Sequence, residues 1–151
     1  MKAARSLLAA ALLLAQAVFI ALQWPTLPST LPSHFALDGT PNRYAPRALL
    51  WLLLGVEIAV VLMLTLVQRF PHAFNLPDPT GSPRRPHQEA LAIEMLNWMR
   101  LEVTLLFACI LGSIVTTAQH KTNGLGEAFI FVFIALTVIT SLYYIRQMKR
   151  P

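Results

Sequence analysis

Four apolar runs free of proline, separated by connections crowded with it, restrict this chain more than any other feature. Leu7 to Leu22, Ala48 to Val67, Leu101 to Ala118 and Ala128 to Ile145 each approach the ~17 to 25 residues with which a helix crosses ~30 Å of hydrocarbon. Pro25, Pro28, Pro32, Pro41 and Pro46 fall in the first connection, and Pro71, Pro77, Pro79, Pro83 and Pro86 in the second. A bilayer offers no water to unpaired backbone groups, and the runs show no period-2 alternation, so the spans are predicted as helices and not as barrel strands. The expected fold is all-α: a membrane four-helix bundle in one domain, residues 1–151, with spans at about 6–24, 48–68, 98–118 and 127–146. An outer loop covers 25–47 and an inner loop 69–87. With 56% hydrophobic and 13% charged residues, the composition argues against a typical soluble domain.

The net charge of +5 fits topology better than nucleic-acid binding. Lys and Arg cluster at the ends of the runs, without a basic surface interleaved with aromatics. With the N terminus inside, Lys2, Arg5, Arg69, Arg84, Arg85, Arg146, Lys149 and Arg150 are inside and Arg43, Arg47 and Lys121 outside, eight against three with Arg100 set aside. The positive-inside rule thus predicts both termini in the cytoplasm. Lys2 and Arg5 before an apolar stretch, with Ala15 and Ala17, imitate a signal peptide whose removal would leave three spans. Val18 to Leu22 carries the apolar run past that cleavage-like site, which favours a retained span.

The first connection, with Asp38-Gly39 and Pro41-Asn42, reads as an ordered, turn-rich cap, and Trp24, Phe35 and Tyr44 suit the headgroup level. The second, with Pro77 to Ser82, reads as a mobile linker. Asn123-Gly124 and Gly126 predict a short turn between the last two spans, with Glu127 at the N-terminal end of the fourth helix. His87 to Arg100 has helical composition, so the third helix is expected to begin near Pro86 as one long rod. On it Glu89, Glu94, Asn97, Arg100 and Thr104 share an arc of about 140°, continued by Ala108 and Gly112, which predicts an interior seam with close helix approach.

Glu57 stands near mid-membrane, where an ionisable side chain is by default a functional hypothesis. Counting along antiparallel spans makes Gln16 its best hydrogen-bonding partner, while Arg69 is expected to pair with Glu102 or Glu94. Glu57 is either a hydrogen-bonded helix glue or a group that handles protons or a ligand. Gln16, Glu57, Asn97, Arg100 and Glu102 are thus the intramembrane polar candidates. His34, Asp38 and His120 could share one side, but their spacing matches no zinc pattern, so neither a metal nor a cofactor is assigned. Cys109, the single cysteine, is expected to be a packing residue. No phosphate loop, His-Glu-x-x-His pair or Gly-x-Ser-x-Gly elbow is present, so no catalytic residue is assigned and the chain is expected not to be an enzyme.

Leu27-Pro28, Leu31-Pro32-Ser33-His34-Phe35 and Asp38-Gly39-Thr40-Pro41-Asn42-Arg43-Tyr44 together resemble the N-terminal DUF1648 module of the SdpI-type membrane family. Leu96 to Val103 is similar to the small stand-alone members of that family. The resemblance implies a bacterial inner-membrane protein whose best-known relatives protect the cell against a secreted toxic peptide and take part in signalling. The additional spans of the longer immunity proteins have no counterpart among the four apolar runs. It directs attention to Pro32, His34, Phe35, Asp38, Gly39, Pro41, Arg43 and Tyr44 as a loop for a peptide or membrane-protein partner. Two alternatives stay open: a small accessory or assembly subunit of a larger membrane complex, and a proton-coupled transporter or intramembrane enzyme using Glu57.

Overall fold

In the computed structural model, which describes residues 2–121, 124, 126 and 128–150, each apolar run is a helix. Helix α1 covers Lys2–Gln23, α2 Leu49–Val67, α3 Arg85–Ala118 and α4 Phe129–Lys149, and all four are long and apolar enough to cross a membrane. The expected turn residue Asn123 and the expected capping residue Glu127 lie outside the described residues.

Helix α3 is the hub. At 34 residues it extends beyond the membrane-length segment, as the proline-free stretch from His87 predicts, and Pro86 sits in its first turn, where a missing N–H costs nothing. It packs against α1, α2 and α4, while α1 also touches α2 and α4 leans principally on α3. The core lies where α1, α2 and α3 meet: Ile20, Leu50, Leu54, Leu111, Ile114 and Val115 are buried together. Most of α4's apolar side chains point away from the protein, Ile130, Phe131, Val132 and Ile139 among them. Cys109 is also exposed, on the lipid-length part of α3, and does not pack in the core as expected. A Cβ at Gly112 would meet no neighbour within 4 Å, so this small residue does not mark the close helix crossing that the α3 arc suggested.

The proline-rich cap is a β-hairpin. Strand β1, Thr30–Phe35, pairs antiparallel with β2, Pro41–Pro46, through Leu31 opposite Ala45, Pro32 opposite Tyr44 and His34 opposite Arg43, with irregular register on both sides of His34. A two-stranded ribbon has two free edges, so prolines at 32, 41 and 46 are tolerated where a central strand would lose ladder bonds. Leu27 and fully buried Leu31 reach down into the helical core, which seats the hairpin on the ends of α1, α2 and α3.

The second connection is not a mobile linker. Buried Arg85 gathers it: its guanidinium donates to the carbonyls of Phe74 at 2.6 Å and Asp78 at 2.8 Å, and to Glu89 Oε1 at 3.1 Å. Fully buried Gln88 accepts the Asp78 N–H at 3.1 Å and donates to the Met148 carbonyl at 2.9 Å, tying the connection to the end of α4. Arg84 donates to the carbonyls of Met148 and Arg150, a favourable place for a cation at a helix C-terminus. Phe74 and Leu76 then settle on Ala92, Tyr144 and Met148 as a second apolar cluster.

Candidate functional site

Two sets of polar residues sit one above the other: the hairpin, and a column of buried groups along the seam of α1, α2 and α3.

The hairpin turn is built by Asp38. Its Oδ1 accepts the Thr40 hydroxyl at 2.7 Å and the Thr40 N–H at 2.9 Å, while the Ala36 and Thr40 backbones close the turn at 2.8 Å. The Thr40 hydroxyl and N–H together hold the Asp38 carboxyl below its ordinary value. Gly39 takes φ +80°, which disfavours any residue with a Cβ. It is also a point of contact: a Cβ there would lie 2.8 Å from the Gly126 nitrogen, and one on Gly124 would run into the Gly39 carbonyl. The hairpin tip therefore presses backbone to backbone on the connection between α3 and α4, a role that neither glycine pair announces in sequence.

His34 pairs with a side chain of the facing strand. Its Nδ1–H donates to Asn42 Oδ1 at 2.6 Å across the hairpin, and both side chains are exposed. Asp38 is engaged by Thr40, so His34 and Asp38 each serve the hairpin, and among the described residues no three His, Cys, Asp or Glu side chains converge on one point. Pro32 and Gly39 are buried, Phe35 and Pro41 half-buried, and Arg43 and Tyr44 exposed. Sequence reasoning missed Leu37, 82% exposed at the tip. Between the hairpin and the end of α3 lies a groove of about 570 Å³, floored by Pro32, Pro41, Thr117 and Ala118 and flanked by Tyr44 and His120. At the rim, Arg47 stands 4.6 Å over the Trp24 ring and donates to the Trp24 carbonyl, and Trp24 approaches Trp51 at 6.1 Å.

The column begins below the hairpin with Gln119, whose amide donates to Gln23 Oε1 at 2.8 Å. At mid-span, Gln16 Nε2 donates to Glu57 Oε1 at 2.9 Å, the partner expected from depth, and Glu57 is wholly buried. Arg100 follows, about 12 Å further along, as the eight residues from Glu57 to Thr65 require. It donates to Ser6 Oγ at 2.6 Å, Asn97 Oδ1 at 2.9 Å and Thr65 Oγ1 at 3.0 Å, one hydroxyl from each neighbouring helix and an amide from its own. Asn97, Arg100 and Thr104 thus occupy the interior arc that helical spacing indicated. The last layer is Arg5 with Glu94 at 2.9 Å, the Arg5 guanidinium also lying 4.9 Å over the Trp98 ring.

The expected pairing of Arg69 with Glu94 or Glu102 is overturned. Arg69 is exposed past the end of α2, Arg5 occupies Glu94, and Glu102 turns away from the column. Glu102 lies two residues beyond Arg100, about 200° around the helix, and meets α4, where its Oε1 accepts the Thr140 hydroxyl at 2.5 Å. Depth counting places residues along the membrane normal; it does not say which neighbour a helix face meets.

No curated protein and no solved structure is detectably similar to the chain. Residues 11–58 match the family described as domain of unknown function DUF1648, a segment that contains most of α1, the whole hairpin and the first half of α2. Gln16, Glu57 and the hairpin all lie inside this matched segment, so the chain is similar to the DUF1648 family over residues 11–58.

Proposed function

We propose that this multi-pass membrane protein is a non-enzymatic binding protein of the bacterial inner membrane, with both termini cytoplasmic, that captures a peptide or membrane-protein partner on its hairpin. The observation that carries the reading is the contrast within the hairpin. Its base is locked by Leu31 in the core and its tip by Gly39 against Gly126, while Arg43 and Leu37 are presented outward and Tyr44 flanks a groove of about 570 Å³. A pre-ordered surface with an exposed aromatic and a cation loses little conformational entropy on binding. The resemblance to SdpI-type proteins supports toxin immunity or signalling as the physiological setting.

The test is capture from the membrane of origin. A photocrosslinker at position 44 should label a discrete partner, and Arg43→Ala, His34→Ala and Asp38→Ala should each reduce the yield while leaving the protein folded. Equal labelling in all three variants would remove the hairpin from the role. Increased sensitivity of cells lacking the protein to a secreted peptide would identify immunity.

A second reading, an accessory subunit of a larger membrane complex, is favoured by α4. This helix packs principally on α3 and leaves most of its length uncovered by the rest of the chain, so a partner span has a face to occupy. A stoichiometric complex in mild detergent that dissolves on substitution of Phe131 or Ile139, and persists in the hairpin variants, would support that reading over the first.

A further inference from the structure

We propose that the groove between α3 and α4 is a binding site for a lipophilic organic cation, with Glu102 as its counter-charge. The groove encloses about 570 Å³, within the ~300 to 1,000 Å³ usual for small-molecule sites, and its walls include Trp98, Leu105, Ile139, Thr140 and Tyr143. Glu102 lines it and is only 5% exposed. A carboxyl group can take part in about four hydrogen bonds. Here Oε1 accepts one, from Thr140, and Oε2 has no partner among the described residues.

No cation of the described chain answers this acid. Arg100 faces the opposite seam and is engaged by Ser6, Asn97 and Thr65, while Arg5 is paired at 2.9 Å with Glu94, which lines the groove. The groove thus carries an acid whose counter-charge the fold does not supply, alongside a neutral ion pair. The aromatic rings add a second attraction: Tyr143 is exposed on the groove side and meets Tyr144 edge-on at 5.1 Å, and Trp98, one face of which Arg5 already covers at 4.9 Å, lines the same wall.

Depth selects the kind of cation. Glu102 is eight residues beyond Glu94, about 12 Å further into the span, among leucines. A compact ammonium would give up strong hydration to reach it, whereas a charge spread over or shielded by apolar groups gives up less and gains contact with Leu105 and Ile139. A groove open laterally toward the lipid suits a ligand that partitions into the bilayer first. This site is independent of the hairpin, since neither Trp98, Glu102 nor Tyr143 lies within the DUF1648 segment.

The probe is tetraphenylphosphonium, measured by equilibrium binding of the radiolabelled ion to the purified full chain in mild detergent. Saturable binding near one per chain is expected, weakened at least about tenfold by Glu102→Gln and unchanged by Glu57→Gln. Because Gln can still accept the Thr140 hydroxyl, Glu102→Gln should retain the fold. Ile139→Trp fills the groove while leaving Glu102 in place and should abolish binding as well, which keeps the test decisive if the first variant is poorly behaved. Binding no greater than detergent partitioning, or equal affinity in the wild type and Glu102→Gln, overturns the proposal. A partner span crosslinking through position 139 with no uptake of the ion overturns it in favour of a protein–protein contact.

Discussion

Arg85→Ala should release the connection between α2 and α3 while leaving the helices in place. The guanidinium makes two short bonds, to the carbonyls of Phe74 at 2.6 Å and Asp78 at 2.8 Å, from a buried position. A hydrogen bond from a charged donor contributes about 1.5 to 3 kcal/mol, and the low end applies because the carbonyls regain water once the segment opens. The Glu89 contact is an i,i+4 pair within α3 that persists when the connection opens, and the third carbonyl, His72 at 3.4 Å, is too distant to add much. The total is about 3 kcal/mol, or roughly a 150-fold rise in the open population. Amide hydrogen exchange in nanodiscs reads this directly at Asp78, whose N–H is held by Gln88, and at Leu76, whose N–H is held by the Phe74 carbonyl. Both should exchange faster by about that factor, with the amides of α3 beyond Ala92 unchanged. Arg85→Lys, which offers a point charge in place of a planar fork, should fall between. Protection at Asp78 and Leu76 within about threefold of wild type in Arg85→Ala would refute the clamp and restore the linker reading.

Two further outcomes follow from the polar groups. Glu57→Gln keeps an acceptor for the Gln16 amide and should shift stability by less than about 1 kcal/mol, whereas Glu57→Leu strands that buried donor at a cost of about 1 to 3 kcal/mol, read as the midpoint of unfolding in sodium dodecyl sulfate. Equal midpoints for Gln and Leu would dismiss the bond as helix glue, and loss of the cellular phenotype in a well-folded Glu57→Gln protein would point to proton handling. At Asp38 the folded carboxyl is held below its ordinary value by Thr40, so its contribution to the turn is complete above the unfolded value of about 3.9 and lost as pH falls through the lower folded value. The Thr40 amide resonance, followed from about pH 6 to about pH 2, should shift with an apparent midpoint below that of a model Asp, and this shift should vanish in Asp38→Asn.

The polar seam shows where sequence reasoning succeeds and stops. Gln16 and Glu57 were matched by counting residues from the ends of antiparallel spans, because rise per residue is nearly constant along a helix. The same constancy put Asn97, Arg100 and Thr104 on one arc. Counting gives no azimuth between helices, so it offers Arg69 either Glu102 or Glu94, whereas Arg5 reaches Glu94 from α1 and Thr140 reaches Glu102 from α4. In the hairpin the legible signals were chemical: Asp38 before Gly39 marks a turn. The β pairing was hidden, since prolines that disqualify a central strand are harmless in a ribbon with two free edges.

The sequence by itself determined that four helices long enough to span a bilayer exist and which face of α3 is polar, since these follow from hydrophobic length, proline chemistry and helical period. Only the tertiary structure decided that α3 is the hub with α4 at its flank, that two glycines join the hairpin to the facing connection, and that Arg85 folds the second connection onto α3. The reason is physical. Periodicity and propensity are local to a segment, whereas a backbone approach at Gly39 or a guanidinium drawing in carbonyls seven and eleven residues away depends on which segments meet.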